Sequence, residues 1–170
     1  MANNQRKEFE ITHVVNAPRD LVFKMWTEAE HLLHWWGPKG STLKIDRLDL
    51  RPGGLFLYSM QTPDGGRMWG RFKYGEIKAP EKLVFISSFS NEEGEMVRAP
   101  FSEHFPLEIH NTVTFKENGN KTTVYLHGGP INGSDEEYAF YEAMFDSMQQ
   151  GFKGTFEQLE TYLENENLLK

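Results

Sequence analysis

The spacing of apolar residues changes several times along the chain, and each change predicts a new element. Residues 7–16, KEFEITHVVN, alternate apolar and polar side chains and predict a β-strand. The next segment, APRDLVFKMWT, has helical spacing and places Pro18 where a first helical turn accepts proline. TEAE, from Thr27 to Glu30, reads as a capping box that begins a second short helix, which we expect to end at Gly37.

Six further strands are predicted after these helices, because alternating segments are separated by the turn sequences RPGG, PDGG, KAPE and NGN. SDEE, from Ser134 to Glu137, reads as another capping box. Apolar residues then recur at helical spacing and predict one continuous helix from about Asp135 to Asn165. The segment from Asn91 to Glu108 has no clear period, and loops of this length are often functional.

The order of these elements predicts a single α+β domain over residues 1–170. A long helix with a broad apolar stripe must bury that stripe, and the inner face of the sheet is the available partner. A curved antiparallel sheet rarely closes completely around one helix. We therefore expect a cavity between the sheet and the C-terminal helix.

Composition and charge narrow the classes of partner. Hydrophobic residues make up 38% and charged residues 25% of the 170-residue chain, which is typical of a globular domain. The formal net charge of -7 and the lack of a basic cluster argue against nucleic acid and anionic membrane surfaces as partners. No run is long and apolar enough for membrane insertion, and MANNQRKEFE lacks an apolar signal core. A cytoplasmic location is the expectation.

Six segments carry a family resemblance: NAPRDLVFKMWT, HLLHWWGPKG, RPGGLFLYSM, PDGGRMWG, YGEIKAPEKLVF and SMQQGFKGTFEQLETYL. With these the chain resembles the START-like (SRPBCC, helix-grip) superfamily, and within it the family named after the C-terminal domain of the heat-shock ATPase activator. The resemblance implies a curved antiparallel sheet of about six or seven strands around a long C-terminal helix, with two short helices after the first strand. The family includes ligand carriers, resistance proteins, cyclase-like enzymes and co-chaperone domains, so the fold leaves the function open.

The adjacent tryptophans of HLLHWWGPKG lie where a helix must end. In the family this segment borders the mouth of the cavity. We therefore expect Trp35 and Trp36 to differ, one packing in the core and the other lining or closing the pocket. A purely structural role for both is the alternative, since tryptophan is mostly buried in any fold.

Alternation along LFLYSM, residues 55–60, assigns the aromatic side chains to the inner face and Leu57 and Ser59 to the outer face. The same alternation, the family pattern and the helical spacing supply the other candidates. An ordinary core would use the same residue types, and this alternative stays open. The predicted ligand-binding residues are Trp35, Trp36, Phe56, Tyr58, Met60, Phe72, Tyr74, Phe85, Met144, Met148 and Phe152.

Gly151 and Gly154 lie inside the predicted helix, where each glycine costs about 1 kcal/mol relative to alanine. Two explanations are open. A strand that approaches the helix closely is the first, and a ligand that does so is the second.

Other candidate chemistry is sparse. His31 and His34 lie three residues apart but have no third ligand at a convincing spacing, so no metal site is expected. No phosphate-binding glycine motif is present, and we expect no cofactor. His104, Glu108 and His110 are candidates for an acid–base pair at a pocket mouth or, alternatively, solvated loop residues.

Three functions follow from these observations. The first hypothesis is a protein that binds a small hydrophobic or aromatic molecule and has no catalytic residues. The alternative is a cyclase- or hydratase-like enzyme that uses pocket tyrosine or histidine as acid and base. A role as a chaperone ATPase activator in the stress response is doubtful, because the founding activators carry a further N-terminal domain and this chain starts at its first strand. A homodimer is possible, since related domains often pair.

Overall fold

The computed structural model describes residues 7–166. One strand and two short helices are followed by six strands and two consecutive helices. The elements are β1 (Phe9–Val15), α1 (Arg19–Thr27), α2 (Ala29–Trp35), β2 (Thr42–Leu48), β3 (Leu55–Gln61), β4 (Arg67–Lys78), β5 (Lys82–Ser90), β6 (Ile109–Asn118), β7 (Lys121–Pro130), α3 (Asp135–Ala143) and α4 (Phe145–Asn165).

All seven strands form one antiparallel sheet in the order β1-β7-β6-β5-β4-β3-β2. The α+β helix-grip prediction is therefore confirmed. The register of β4 shifts between Tyr74 and Ile77, and that of β2 shifts between Ile45 and Arg47. Irregularities of this kind increase local twist and bend a strand, which is consistent with a curved sheet.

The helices pack on the inner face of the sheet, but not evenly. α1 lies against β6 and β7, α3 against β7, and α4 against β1 and α2. Aromatic rings fill the space between them: Trp26 meets Trp35 edge-on at a centroid distance of 5.1 Å, and Phe115 at 6.0 Å. α2 lies against β2 at the opposite edge, so the helices cover both edges of the sheet more than its middle strands.

The C-terminal helix is not continuous, which corrects the prediction of one helix from Asp135 to Asn165. The backbone N–H of Met144 bonds to the carbonyl oxygen of Tyr141 at 3.0 Å, three residues back, and α3 ends there. This bond tightens the last turn of α3. Phe145 then packs edge-on against Phe9 and Tyr141, at 5.7 and 5.5 Å. Tertiary packing accompanies a break that the apolar spacing does not show.

The two predicted capping boxes have different outcomes. At α3 the box is present: the Ser134 hydroxyl accepts from the Glu137 N–H at 3.2 Å, and a Glu137 carboxylate oxygen accepts from the Ser134 N–H at 2.8 Å. At α2 the prediction is wrong. The Thr27 hydroxyl donates to the Phe23 carbonyl oxygen at 2.8 Å, inside α1, and Glu28 precedes α2 without a side-chain cap.

The outer face of β3 is covered by the segment that follows β5. Leu57 and Ser59 lie on this face, as the alternation predicts, yet both are buried. Gly94 packs against Leu57, and its carbonyl oxygen accepts from an Arg71 guanidinium N–H at 2.8 Å. The long loop therefore belongs to the packed structure.

The described part of the chain contains no helix that is long and apolar enough to cross a membrane.

Candidate functional site: a cavity between α4 and β3

The chain reverses direction directly after α2, at the WWGP segment. Trp36 is already extended, and Gly37 has a φ of +103°, a conformation that favours glycine. A Cβ at Gly37 would also lie only 3.0 Å from the sulfur of Met60. Glycine therefore satisfies both the backbone conformation and the close approach of β3 at this turn.

Side chains of α4 hold this turn in place. Thr155 and Gln158 both donate to the carbonyl oxygen of Gly37, at 3.1 and 2.7 Å. The ammonium of Lys39 contacts the carboxylate of Glu157 at 2.6 Å on the surface. These bonds fix the position of the WWGP segment relative to α4.

The two tryptophans occupy different environments. Trp35 is 1% exposed, and its indole N–H donates to the carbonyl oxygen of Met25 at 2.9 Å. Trp36 is only partly buried and meets Phe72 edge-on at 5.5 Å. Trp35 is therefore part of the core, and Trp36 is left to line the space beside it.

A cavity of about 220 Å³ opens between α4, β3 and the WWGP segment. The side chains around it are apolar except for two hydroxyl groups and the indole N–H of Trp36, and none is charged. One hydroxyl, that of Thr155, already lies near the carbonyl oxygens of Gly37 and Gly151, both at 3.1 Å. The lining residues are Trp36, Gly37, Pro38, Tyr58, Met60, Met148, Gly151, Phe152 and Thr155.

Tyr58 supplies the other hydroxyl. Burial raises the pKa of Tyr58 to about 12, while a hydrogen bond from the Trp36 side chain opposes the rise. The phenol is therefore protonated at neutral pH. Its ring lies over β4 at Gly70, where a Cβ would come within 2.8 Å of the phenol oxygen. No described residue accepts the phenol proton, so the hydroxyl can donate to a bound molecule.

A second, smaller cavity of about 130 Å³ lies on the other side of Tyr58 and Met60, over β4 and β5. Phe105, from the loop between β5 and β6, forms part of its wall. The lining residues are Tyr58, Met60, Trp69, Gly70, Ser87, Ser88, Phe89, Phe105 and Ile109.

A sequence profile describing Activator of Hsp90 ATPase homolog 1-like proteins matches residues 16–164. The chain belongs to this family. The match confirms the predicted START-like superfamily, and domains of this family's fold generally bind ligands.

Solved structures share the fold. A protein from Arthrobacter aurescens has a TM-score of 0.78 and 26% identity, over 94% of this chain and 87% of that one. Ms6760 from Mycobacterium smegmatis has a TM-score of 0.76 and 23% identity, over 93% and 91%. A protein from Staphylococcus epidermidis has a TM-score of 0.75 and 23% identity, over 98% and 95%. Among curated proteins, none matches the sequence significantly.

In this member of the family, the predicted ligand-binding residues fall into three groups. Trp36, Tyr58, Met60, Met148 and Phe152 line the first cavity. Met144 lines neither cavity and lies between α3 and α4. The others are buried in the core and line neither cavity: Trp35, Phe56, Phe72, Tyr74 and Phe85.

Four of the first cavity's lining residues were not among the sequence candidates: Gly37, Pro38, Gly151 and Thr155. The family's WWGP segment pointed to the first two. Gly151 stands out in the sequence as a glycine inside a predicted helix, whereas a threonine on a helix gives no signal of this kind.

The helix glycines have different surroundings, and the predicted close approach of a strand is wrong for both. At Gly154 a Cβ would meet the methylene groups of Lys39, at 3.7 to 3.8 Å. At Gly151 it would meet nothing within 4 Å. Gly151 shares a face of α4 with Met148 and Thr155, since these residues are three and four positions away.

The histidines lie away from both cavities. His31 Nδ1 is 2.7 Å from the Tyr162 hydroxyl, and the His34 ring stacks on Tyr162 at 4.7 Å. His104 Nδ1 lies 3.5 Å from a Glu136 carboxylate on the surface. Glu108 and His110 do not line either cavity. The predicted acid–base cluster is therefore not brought to the mouth of these cavities.

One group at the start of α2 has the composition of a metal site. Potential ligand atoms of Glu28, Glu30 and His31 lie within 4.8 Å of one another. Glu30 is exposed. His31 bonds to Tyr162 through Nδ1, and its Nε2 faces the carboxylates of Glu28 and Glu30 at 3.6 and 4.0 Å. Acidic groups of this kind are common on protein surfaces without a metal ion, and we do not assign an ion to this one.

Proposed function

We propose that the protein binds a small, uncharged, apolar or aromatic molecule in the first cavity, between α4 and β3. The observation that carries this proposal is the open space opposite Gly151. Met148 and Thr155 flank this glycine on one side of the space, and Tyr58 and Met60 face it from β3. A Cβ at Gly151 would meet no atom within 4 Å apart from its chain neighbours and the nearby backbone of its own helix, and Gly151 is exposed, so the cavity opens to solvent at this position.

The lining indicates the chemistry of the ligand. Trp36 and Phe152 offer aromatic faces, and Met60 and Met148 are adaptable side chains that tolerate ligands of varied shape. A charged ligand would lose its hydration without gaining a partner of opposite charge, at a cost of several kcal/mol. The Tyr58 hydroxyl favours a ligand that carries one hydrogen-bond acceptor.

The acid–base alternative has less support. General acid–base catalysis works best when the pKa of the group lies near the working pH. Tyr58 is the one titratable residue that lines the two cavities, and its pKa is raised to about 12, far from neutrality. Binding without turnover therefore fits the cavity better than a cyclase or hydratase reaction.

A pair of leucine substitutions tests the proposal. Gly151→Leu adds a side chain to the cavity face of α4, whereas Gly154→Leu adds the same side chain against Lys39, outside the cavity. We expect wild type to bind the uncharged fluorophore N-phenylnaphthylamine, measured by fluorescence titration. Gly151→Leu should weaken binding about tenfold or more, which corresponds to about 1.4 kcal/mol. Gly154→Leu should bind like wild type.

Circular dichroism checks that both variants are folded. Equal affinity in the wild type and both variants would show that the probe does not occupy the space opposite Gly151, and the proposal would then be wrong.

A further inference from the structure

We infer that the binding site is bipartite: one elongated ligand occupies both cavities, passing Tyr58 and Met60, which line each of them. The inference rests on the proposed function and extends it to a ligand class. That class is an uncharged, elongated molecule with two apolar ends. An acceptor between the ends would strengthen binding through the Tyr58 hydroxyl but is not required for it.

Size is the first reason. Small-molecule sites typically have volumes of about 300 Å³ or more. The first cavity, at about 220 Å³, lies below this range, and the second, at about 130 Å³, is too small to be a site by itself. The two cavities together reach the range.

The second reason is the partition between the two cavities, which consists of the side chains of Tyr58 and Met60. Tyr58 pairs with Gly70 and Met60 pairs with Met68 across β3 and β4. Because residue 70 has no side chain, the phenol ring lies against the β4 backbone. Met60 then provides a flexible part of the partition, since its unbranched side chain has three rotatable bonds. A ligand can displace it without moving the sheet.

The far wall of the second cavity is the third reason. Phe105 packs edge-on against Phe89, which also lines the cavity, at 5.5 Å. The same loop is held to α3 by an ion pair between Arg98 and Glu137, whose carboxylate is mostly buried. The second cavity therefore has an anchored aromatic wall.

The polar groups that line the second cavity are uncharged, so they favour an uncharged ligand. Ser87 accepts from the Asn111 side-chain amide at 3.0 Å, so its hydroxyl oxygen already has a partner. No lining side chain is charged. Ser88 also lines this cavity, and its buried hydroxyl has no hydrogen-bond partner among the described residues. The end of the ligand in this cavity is therefore expected to be uncharged and mainly apolar, with space for one polar group beside Ser88.

Two uncharged probes of different length test the inference. N-phenylnaphthylamine is compact, and diphenylhexatriene is a rod with a phenyl ring at each end. We compare Phe105→Trp, which fills the second cavity, with Phe101→Trp, which makes the same change in the same aromatic cluster. Phe101 is 54% exposed and lines neither cavity.

Phe105→Trp should weaken binding of the rod about tenfold or more and change binding of the compact probe less than about twofold. Phe101→Trp should leave both affinities unchanged. Ile109→Phe fills the second cavity from β6 and should give the same contrast as Phe105→Trp, so the test does not depend on one variant folding correctly.

The inference is wrong if folded Phe105→Trp and Ile109→Phe bind the rod like wild type, or if they weaken both probes equally. A wild-type protein that binds the compact probe but not the rod would also overturn it, while the proposed function would stand. Failure of Gly151→Leu to weaken the compact probe would instead overturn the proposed function, and the bipartite site with it.

Discussion

Truncation of Met148 measures directly whether α4 borders a cavity or a packed core. Met148 is partly buried and lines the first cavity, so one side of its side chain already faces open space. Replacing a fully buried methionine with alanine costs about 2–5 kcal/mol, through lost burial and a new void. Met148→Ala enlarges an existing space and loses fewer contacts, so it should cost less than about 2 kcal/mol.

Met25 provides the matched control, because it is the same residue type on a helix and is 0% exposed. Met25→Ala should fall within the range of about 2–5 kcal/mol. Urea denaturation followed by circular dichroism gives both free energies of unfolding, provided that the m-values match. If Met148→Ala costs as much as Met25→Ala, the reasoning from the cavity is refuted.

The enlarging substitution gives the opposite contrast at the same position. Met148→Trp should fit into the cavity with little loss of stability and should block binding of N-phenylnaphthylamine. In a packed core the larger side chain would destabilise the protein by about 1–3 kcal/mol or more. A destabilised Met148→Trp combined with a costly Met148→Ala would mean that α4 and β3 meet without a cavity.

Four further changes have expected outcomes. Gly151→Ala should raise the free energy of unfolding by about 0.5–1 kcal/mol, because alanine favours the helix and its Cβ would meet nothing within 4 Å. A lower melting temperature than that of the wild type would contradict this prediction. Ser134→Ala should lower the free energy of unfolding by about 1 kcal/mol through loss of the α3 cap, measured by urea denaturation against Ser134→Asp as the conservative control. Gly70→Ala should be destabilising, because its Cβ would lie 2.8 Å from the Tyr58 ring, and combining it with Tyr58→Ala should remove most of the effect. Above pH 10 the unfolded chain loses the Tyr58 proton before the folded protein does, because burial raises the folded pKa to about 12 from 10.0. Tyr58 should therefore contribute about 2–3 kcal/mol to a fall in the free energy of unfolding between these pH values, and the fall should be smaller by this amount in Tyr58→Phe. Tyr74 and Tyr141, whose pKa values burial also raises, account for the fall that remains in the variant.

Local patterns predicted the elements well where each element is determined by its own residues. The strands follow from alternation, and α3 begins where Ser134 and Glu137 form their reciprocal cap. The break at Met144 has no such signal. Apolar spacing continues through it, and no proline or glycine marks it. The break accompanies a contact of Phe145 with Phe9, and a pair of residues so far apart in the sequence cannot be found from local spacing.

The site was harder to predict than the fold. Alternation shows which face of the sheet a side chain is on, but not whether that side chain is packed in the core or lines a cavity. Phe56 and Tyr58 share the inner face of β3, yet Phe56 is 0% exposed in the core while Tyr58 borders both cavities. The difference depends on where α4 lies across the sheet. Gly70 does carry a sequence signal for the cavity wall, because it lies within a strand pattern, where glycine often marks a close approach.

The position of the cavity follows from how the helices divide the sheet. α3 packs on β7 and α4 packs on β1, whereas α2 packs on β2 at the opposite edge, so the helices cover the two edges of the sheet more than its middle. The inner face of β3 to β5 is left to side chains from the WWGP segment, from one stripe of α4, and from Phe105. The loop that carries Phe105 also covers the outer face of β3 through Gly94. Because one loop covers both faces at this end of the sheet, the stability of the loop and closure of the second cavity should change together.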